Sequence, residues 1–525
     1  MLCGDLPHKL GSVLVLTAVC ATPALAQITT AQYDNARTGA YTGERELTPR
    51  NVNPAQFGRK LVIQVDGDVY AQVLYMPGVA VAGKGTHAVV LIATEHNSVY
   101  EFDAANPAKP LWRVNLSNPA SGATTLLPRD VQCPFIRPEV GITPTPVIDP
   151  ASKTIYVLAR TKERGSYVQR LHALDVTSGA ERRGSPVEIE ASVPGTGDGA
   201  VNGIVSFDPL RENPRAALLL VNGKIIMAWA SSCDVRPFHG WVMAYDARTL
   251  AQVGVFNATP DGNEGGIWQG DAGLAADAEG RIYAATGNGT FDASSGGHDY
   301  GDSILQLTLG PRGFVVTDYF TPFNQKALEK DDGDLGSGGP MLLPDQPGAH
   351  RHLLFMGGKG QEVYLIDRDR MGRFNPRGNS AAAQTGKTPG MVMGAASFWN
   401  GHVFTLWSSD VIRDFAMQGG LLSRKPVAMG THVFTDPGAT PTISSNGSRD
   451  GIVWVIETRT WNGSDRPAVL HAYDAANVAR ELYSSEQRSS RDRAGDAVRF
   501  AIPTVVNGRV YVGAKGQVDV YGLLR

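Results

Sequence analysis

One polar, glycine-rich stretch carries residue types that could bind a metal ion or a cofactor. Residues 285–303 read ATGNGTFDASSGGHDYGDS and follow a short strand-like run, Arg281 to Ala284. The stretch places Asn288 in a glycine turn and then supplies carboxylates and an imidazole, whose oxygen and nitrogen atoms bind cations. A long surface loop without a function would have a similar composition. The stretch therefore predicts either such a loop or part of a metal or cofactor site at the mouth of a barrel-like fold.

The elements that would position this stretch recur along the chain. Two or three apolar residues, an aspartate and a small or polar turn return at intervals of roughly 50 to 70 residues, the length of a four-stranded propeller blade with long loops. The aspartates of the clearest copies are Asp103, Asp175, Asp246, Asp367 and Asp474. Because an aspartate side chain accepts hydrogen bonds from a following turn, we expect these five residues to be turn formers.

Each copy follows a short run of β-branched, aromatic and small apolar residues after a turn. These runs are 89–93, 154–158, 224–229, 281–285, 353–356, 402–406, 452–456 and 509–512. Short strands with period-two alternation, separated by turns, indicate an all-β fold, and no helical period is sustained. The copies predict an eight-bladed β-propeller, with seven blades as the nearest alternative.

The two ends of the chain are predicted to meet in the last blade. The final copy stops three strands in, at Val518 to Tyr521, and the extended run Gly58 to Val65 can supply the missing outer strand. Such closure would remove the free sheet edges at the chain ends. We therefore expect an extended N-terminal segment over 27–57 and one propeller domain over 58–525.

The first residues are typical of an export signal. Lys9 precedes the apolar run Leu10 to Val19, and Ala24-Leu25-Ala26 supplies a small-x-small cleavage site. We expect cleavage after Ala26 and a periplasmic or secreted protein. No later apolar stretch is long enough to span a membrane. The formal charge of −3, without a basic stripe, argues against a nucleic-acid partner.

Export determines how the cysteines are interpreted. Only Cys133 and Cys233 remain after cleavage, and two cysteines in an oxidising compartment favour one disulfide. Cys133 precedes the innermost strand of blade two, and Cys233 follows the second strand of blade three, so both should reach the same face on adjacent blades. A Cys133–Cys233 disulfide is therefore feasible, and two separate thiols are the alternative.

Two further segments carry a resemblance to a known family. Gly265-Gly-Ile-Trp268-Gln, Ala284-Ala-Thr-Gly-Asn288 and Tyr300-Gly-Asp302 are followed by Asp334-Leu-Gly-Ser-Gly-Gly and Lys359-Gly-Gln-Glu. In this order they resemble two consecutive blades of the quinoprotein alcohol dehydrogenases. That family has eight-bladed propellers holding pyrroloquinoline quinone (PQQ) and calcium at the channel mouth, and its PQQ-type repeat is similar to the repeat along this whole chain.

The resemblance implies roles for individual residues. Trp268 matches the tryptophan that forms the floor under the quinone, and Lys359 matches a basic residue that contacts the oxygens of the cofactor. Asp334 matches the aspartate that acts as general base on the alcohol. Asn288 matches an asparagine that binds calcium, and Asp334 is a second predicted calcium ligand. Asp234 is the third, because it is the one candidate near the position of a calcium-binding glutamate.

Two functions follow from these residues and from what is missing. The resemblance implies a PQQ- and calcium-dependent dehydrogenase that oxidises an alcohol or sugar hydroxyl and passes electrons to an external acceptor, since no C-x-x-C-H haem motif occurs. The vicinal cysteine pair of that family has no counterpart, and Tyr70 stands near the position of another glutamate. The alternative is a non-catalytic propeller that binds a protein or polysaccharide partner on the channel-mouth face.

Overall fold

Eight antiparallel sheets form the blades of a propeller in the computed structural model, which describes residue 1 and residues 26–459 and 466–524. The chain passes through each blade from the innermost strand outwards. Blade one consists of Leu74–Val81, Gly85–Ala93, Ser98–Asp103 and Pro110–Asn115; blade two of Val147–Asp149, Thr154–Glu163, Ser166–Asp175 and Val187–Glu188; blade three of Leu219–Val221, Lys224–Ser231, Trp241–Asp246 and Gln252–Asn257; and blade four of Ala275–Ala276, Ile282–Ala285, Ile304–Gly310 and Gly313–Thr321.

The second half of the chain repeats the arrangement. Blade five consists of Met341–Leu342, Leu353–Gly358, Glu362–Asp367 and Gln384–Lys387; blade six of Ser397–Trp399, His402–Thr405, Arg413–Gln418 and the outer pieces Leu421–Leu422 and Ala428–Met429; blade seven of Thr442–Asn446, Arg449–Glu457, Val469–Asp474 and Glu481–Ser484; and blade eight of Thr504–Val506, Arg509–Ala514, Gln517–Leu523 and Phe57–Gln64. The predicted all-β fold with eight blades is confirmed, and each predicted strand run overlaps the second strand of a blade.

Several short strands, helices and turns lie outside the main strands of the blades. Additional strands are Ala40–Tyr41, Ala123–Thr124, Glu212–Asn213 and Arg373–Phe374, and Ser192–Pro194 pairs with Ile204–Ser206 in a separate hairpin. The helices are Pro128–Val131, Gln325–Lys330 and Ser489–Asp492, with 3₁₀ turns at Pro119–Ser121, Gln269–Asp271, Ala293–Ser295, Leu335–Ser337 and Ser485–Arg488. Among the described residues, no helix has the length and apolar character needed to cross a membrane. Of the predicted leader, residues 1–26, the stretch 2–25 lies outside the described part of the chain.

The ring is closed by pairing the two ends of the chain. Phe57–Gln64 runs antiparallel to Gln517–Leu523, with Phe57 opposite Leu523 and Gln64 opposite Gln517. The N-terminal strand is therefore the outer strand of the last blade, as the sequence predicts. This closure gives blade eight its fourth strand and pairs an edge that would otherwise be exposed.

The core lies between the blades. Eight clusters of buried apolar side chains each combine residues of two neighbouring blades, one cluster for each of the eight interfaces. The cluster between blades seven and eight, for example, contains Trp454, Tyr521 and Phe57, all essentially inaccessible to solvent. Alternating strands present one apolar face to each neighbour, so every blade is needed to cover the next.

The repeated aspartates have the turn role expected from the sequence. One carboxylate oxygen of each aspartate accepts a hydrogen bond of 2.7 to 3.1 Å from the backbone N–H two residues later. The five aspartates are Asp103, Asp175, Asp246, Asp367 and Asp474. Each of these residues ends the third strand of its blade. The aspartates therefore start the turn towards the outer strand.

Residues 28–44, called here the N-terminal plug, bind the innermost strand of every blade. Backbone or side-chain hydrogen bonds of 2.7 to 2.9 Å connect it to Tyr75, Ile148, Leu220, Ala276, Leu342, Phe398, Ile443 and Val505, one residue for each blade. The side chain of Arg37 is fully buried there. Because innermost strands surround the central channel, the plug links all eight blades from within.

Candidate functional site

Four connections on one face of the propeller bring the predicted site residues together. Trp268 precedes the innermost strand of blade four, Asn288 follows the second strand of that blade, and Asp334 precedes the innermost strand of blade five. Lys359 lies in the tight turn between Leu353–Gly358 and Glu362–Asp367. In a propeller these two kinds of connection emerge on the same face, so residues 91 positions apart in sequence become neighbours.

Asp334 and Lys359 form a buried ion pair. The Lys359 Nζ lies 2.5 Å from Asp334 Oδ2 and 2.8 Å from Asp332 Oδ1, and the Asp334 side chain is 4% exposed. The backbone N–H of Asn288 donates to the other Asp334 oxygen at 2.8 Å. Burial raises the pKa of Asp334 above its ordinary value, although Lys359 and this N–H oppose the shift. Burial alone would lower the pKa of Lys359, but the two carboxylates raise it.

The Trp268 indole is held in place by close backbone contacts. A Cβ atom on Gly287 would lie 2.6 Å from the indole and closer still to Asp334, and one on Gly266 would lie 2.7 Å from the indole. Phe238 packs edge-on against Trp268, with ring centroids 6.1 Å apart. Glycine is therefore required at positions 266 and 287, because a side chain there would collide with the Trp268 indole or, at position 287, also with the Asp334 carboxylate.

The cysteines are joined in a disulfide, as expected from their positions on adjacent blades. The S–S distance is 2.04 Å and the Cα atoms of Cys133 and Cys233 lie 5.5 Å apart. Both residues line a cavity of about 180 Å³ at the channel mouth, together with Trp268, Asp334 and Lys359. Asp234 lines the same cavity, so four predicted site residues and the disulfide share it.

Removing this disulfide should destabilise the protein measurably. The two cysteines are 100 residues apart, so the cross-link constrains a long loop of the unfolded chain. For Cys133→Ser/Cys233→Ser we expect the free energy of unfolding to fall by about 2–4 kcal/mol. Differential scanning calorimetry of the double variant and of the oxidised protein measures this change. An unchanged melting temperature in the double variant would contradict the prediction.

Two arginines complete the cavity, and the sequence interpretation did not identify them. Arg215 and Arg499 are 8% and 6% exposed and line the cavity with the aromatic residues Phe135 and Phe500. The Arg499 guanidinium lies 3.7 Å from the Phe135 ring centroid, and Arg215 lies 5.1 Å from that of Phe500. Burial, with the charge of Arg215 contributing, lowers the pKa of Arg499 to about 10.

A signal for these arginines was present in the sequence. Both precede the innermost strand of a blade, four positions before Leu219 and five positions before Thr504 respectively, in connections that emerge on the channel-mouth face. The cavity therefore has more positive charge than the predicted residues alone suggest.

The three predicted calcium ligands are placed differently from one another. The Asn288 side-chain oxygen is buried and has no hydrogen-bond partner, whereas its amide nitrogen donates to Asp332 at 3.2 Å. Asp334 is occupied by Lys359 as described above. Asp234 is exposed, and its Oδ1 accepts a hydrogen bond from Ser231 at 3.0 Å. Because an ammonium group already neutralises Asp334, these residues do not by themselves assemble an anionic calcium cage, and the calcium role remains a prediction.

The rest of the glycine-rich stretch supports the backbone of the site. Asp302 is fully buried, and its Oδ1 accepts the backbone N–H of Leu335 at 3.1 Å, next to Asp334. Asp292 accepts the N–H of Asp299 at 2.8 Å. Burial raises the pKa of Asp302 well above its ordinary value, with a smaller contribution from the Asp334 charge. The stretch thus positions the turn that carries Asp334.

Comparison with solved structures shows the class of fold. A quinohemoprotein alcohol dehydrogenase from Comamonas testosteroni is similar with a TM-score of 0.61 and 14% identity, over 94% of this chain and 80% of that one. One from Pseudomonas putida has a TM-score of 0.60 and 15% identity, over 95% and 80%. A europium-containing methanol dehydrogenase has a TM-score of 0.62 and 12% identity, over 95% and 98%. No protein-family model and no curated protein sequence matches this chain significantly.

These similarities confirm the predicted fold. The chain is an eight-bladed propeller of the kind found in quinoprotein alcohol and methanol dehydrogenases. At this level of identity the likeness extends to the fold alone.

Proposed function

We propose that this protein is a PQQ-dependent dehydrogenase that oxidises an alcohol or sugar hydroxyl at the channel mouth. The observation that carries this proposal is a single cavity lined by Trp268, Asp334, Lys359 and the Cys133–Cys233 disulfide. A planar quinone with several carboxylates needs an aromatic surface and cations, and the cavity offers both. Arg215 and Arg499 add two buried guanidinium groups to that surface.

The residues of the chain divide into binding and proton-transfer roles. Trp268, Arg215, Arg499 and Lys359 would hold the cofactor, with the disulfide as a further wall of the cavity. When bound, PQQ supplies the acceptor for the hydride of the alcohol carbon. Asp334 then takes the hydroxyl proton of the alcohol at a carboxylate oxygen, and Lys359 stabilises the ionised form of that carboxylate between turnovers.

The compartment is part of the same proposal. We infer export to the periplasm or the medium, with cleavage of the leader after Ala26. The disulfide supports this inference because such bonds persist in oxidising compartments. An electron acceptor outside the chain would reoxidise the cofactor.

Two observations favour the second candidate, a non-catalytic propeller with a protein or polysaccharide partner. Asp334 is already engaged by both Lys359 and the Asn288 N–H, so the predicted base is held in a stable pair in the free protein. Phe135, which is 43% exposed at the channel mouth, would suit a macromolecular contact. Cofactor binding distinguishes the two candidates.

Titration of the purified protein with PQQ, with and without calcium, tests the proposal. We expect the melting temperature to rise with cofactor concentration and the absorbance of the cofactor to shift on binding. Trp268→Ala should weaken binding by about 10- to 100-fold, because it removes the aromatic surface, and Trp268→Phe by less. Absence of any shift at saturating PQQ would reject the dehydrogenase and favour the partner-binding propeller.

A further inference from the structure

A second polar cluster lies on the same face in blade seven, away from the cavity. Its members are His432, in the connection that leads into the innermost strand, Glu457, at the end of the second strand, and His471, in the third strand. Within the described ranges, these three are the one group of His, Cys, Asp or Glu whose ligand atoms all lie within 4.8 Å of one another. Three separate segments of the chain thus converge on one point.

The two imidazoles are directed at a single carboxylate oxygen. Glu457 Oε2 lies 3.1 Å from His432 Nε2 and 3.6 Å from His471 Nε2. The rings of the two histidines stack with centroids 4.7 Å apart, and both Nε2 atoms approach the same Glu457 oxygen. Tetrahedral ligands at zinc–nitrogen distances would be about 3.3 Å apart, which lies between the two observed separations.

His471 has a ligand atom without a hydrogen-bond partner. Its side chain is 2% exposed, and its Nδ1 is within 2.7 Å of Glu481 Oε1. The Nε2 atom is buried and makes no hydrogen bond. If Nδ1 donates to Glu481, the neutral ring turns an Nε2 lone pair towards the Glu457 carboxylate, and either a metal cation or a proton between the two would relieve their repulsion.

The surroundings match those of a metal-binding histidine. Such a histidine usually donates its other ring N–H to a carboxylate, and Glu481 is in that position for His471. Phe434 packs against both imidazoles, with ring centroids 4.8 and 5.0 Å away, and limits their movement. Two imidazoles and one carboxylate are the ligands that first-row transition metals prefer, whereas calcium prefers oxygen.

We propose that His432, Glu457 and His471 bind one divalent transition-metal cation of the zinc type. The ion would connect the three segments of blade seven and leave one coordination position for water or another ligand. This site is independent of the quinone cavity, and none of its ligands lines that cavity.

Arg459 is the competitor that such an ion would have to displace from Glu457. Its Nη2 lies 2.8 Å from Glu457 Oε2. The same guanidinium also binds both oxygens of Glu486, at 2.8 and 3.3 Å. Arg459 therefore keeps an ionic partner when a metal takes the Glu457 oxygen. Arg459→Gln should tighten metal binding, because it removes a positive charge beside the ion.

The test is a metal titration of the tag-free, full-length exported protein after treatment with a chelator. Zn²⁺ is followed by isothermal titration calorimetry and elemental analysis, and Co²⁺ by its visible absorption, which reports the ligand geometry. We expect one Zn²⁺ per chain, a melting temperature that rises by a few degrees, and a low-symmetry cobalt spectrum.

Matched variants locate the ion. Glu481→Gln should weaken Zn²⁺ binding by about 10- to 100-fold through loss of the carboxylate behind His471. His432→Gln should weaken it at least as much. His402→Gln is the control, because His402 bonds to Asp414 at 2.7 Å and has a similar exposed fraction, 34% against 32% for His432. This control should bind Zn²⁺ as the unmodified protein does.

Two outcomes would overturn the proposal. If the unmodified protein binds no Zn²⁺ or Co²⁺, the cluster holds a proton between its imidazoles and Glu457 instead of a metal. If His432→Gln and Glu481→Gln both bind as tightly as the control, the metal is on surface histidines. Glu481→Gln changes a side chain that is 32% exposed. If His432→Gln fails to fold, the Zn²⁺ affinity of Glu481→Gln can still be compared with that of the control.

Discussion

Asp334→Asn should lower the kcat of the PQQ-loaded protein on an alcohol substrate by about 10²–10⁴-fold. Asparagine keeps the size of the side chain but cannot take the hydroxyl proton. It also removes the carboxylate that Lys359 contacts at 2.5 Å. The measurement is a dye-linked assay at saturating cofactor and substrate, with PQQ binding determined separately by titration. This prediction depends on the proposed dehydrogenase function.

Asp332→Asn is the matched control for this experiment. Asp332 binds the same ammonium group at 2.8 Å, but its side chain is 70% exposed. We expect its kcat to stay within a few-fold of the unmodified protein, since it is not the buried base. Equal kcat values for Asp334→Asn and the unmodified protein would show that Asp334 is a structural residue.

The pH profile provides a second readout of the same residue. A general base works only when ionised, so activity should fall as the pH is lowered through the pKa of Asp334. Burial raises that pKa, and the acidic limb should therefore lie above the range of an ordinary aspartate. A limb at or below that range would indicate that Lys359 dominates or that another group is the base.

Arg37→Ala should destabilise the whole propeller by about 3–5 kcal/mol. The Arg37 guanidinium is fully buried in the N-terminal plug and donates to the carbonyl oxygens of Leu274, Ala31 and Leu218, at 2.9, 2.8 and 3.4 Å. Its removal leaves these oxygens without that donor and opens a cavity beneath the innermost strands. The measurement is the melting temperature by calorimetry together with denaturant unfolding.

An exposed arginine directly after the plug serves as control. Arg45 follows the plug at its end and is solvent-exposed, so Arg45→Ala should change stability by less than about 0.5 kcal/mol. If Arg37→Ala is as mild as this control, the plug does not contribute to the cohesion of the blades. A larger loss of stability would show that the N-terminal plug, as well as the outer strand Phe57–Gln64, holds the ring of blades together.

Much of the architecture could be predicted from local patterns. Asp103 and its four counterparts recur because each blade needs the same turn after its third strand, and the N–H bonds to these carboxylates confirm that role. The closing strand was predictable because a sheet edge needs a partner. The Cys133–Cys233 pairing followed from the faces on which two neighbouring connections emerge.

The site could be predicted only in part. Trp268, Asp334 and Lys359 were identified through motifs that resemble a known family, and the structure places them in one cavity. Arg215 and Arg499 were missed because no motif surrounds them. Asp302 belongs to the same polar stretch as Asn288, but it is buried and accepts the backbone N–H of Leu335. Whether a loop carboxylate faces solvent or backbone depends on the neighbouring blade.

The sequence by itself determined the β-repeat and the turn residues, because each depends on interactions within about one blade, and it favoured eight blades over seven. Only the tertiary structure decided which side chains meet. Lys359 neutralises Asp334, residues 28–44 bind all eight innermost strands, and His432, Glu457 and His471 converge from three segments. These contacts depend on how the strands twist and how the blades close around the channel, and a linear pattern contains no record of distances across that ring.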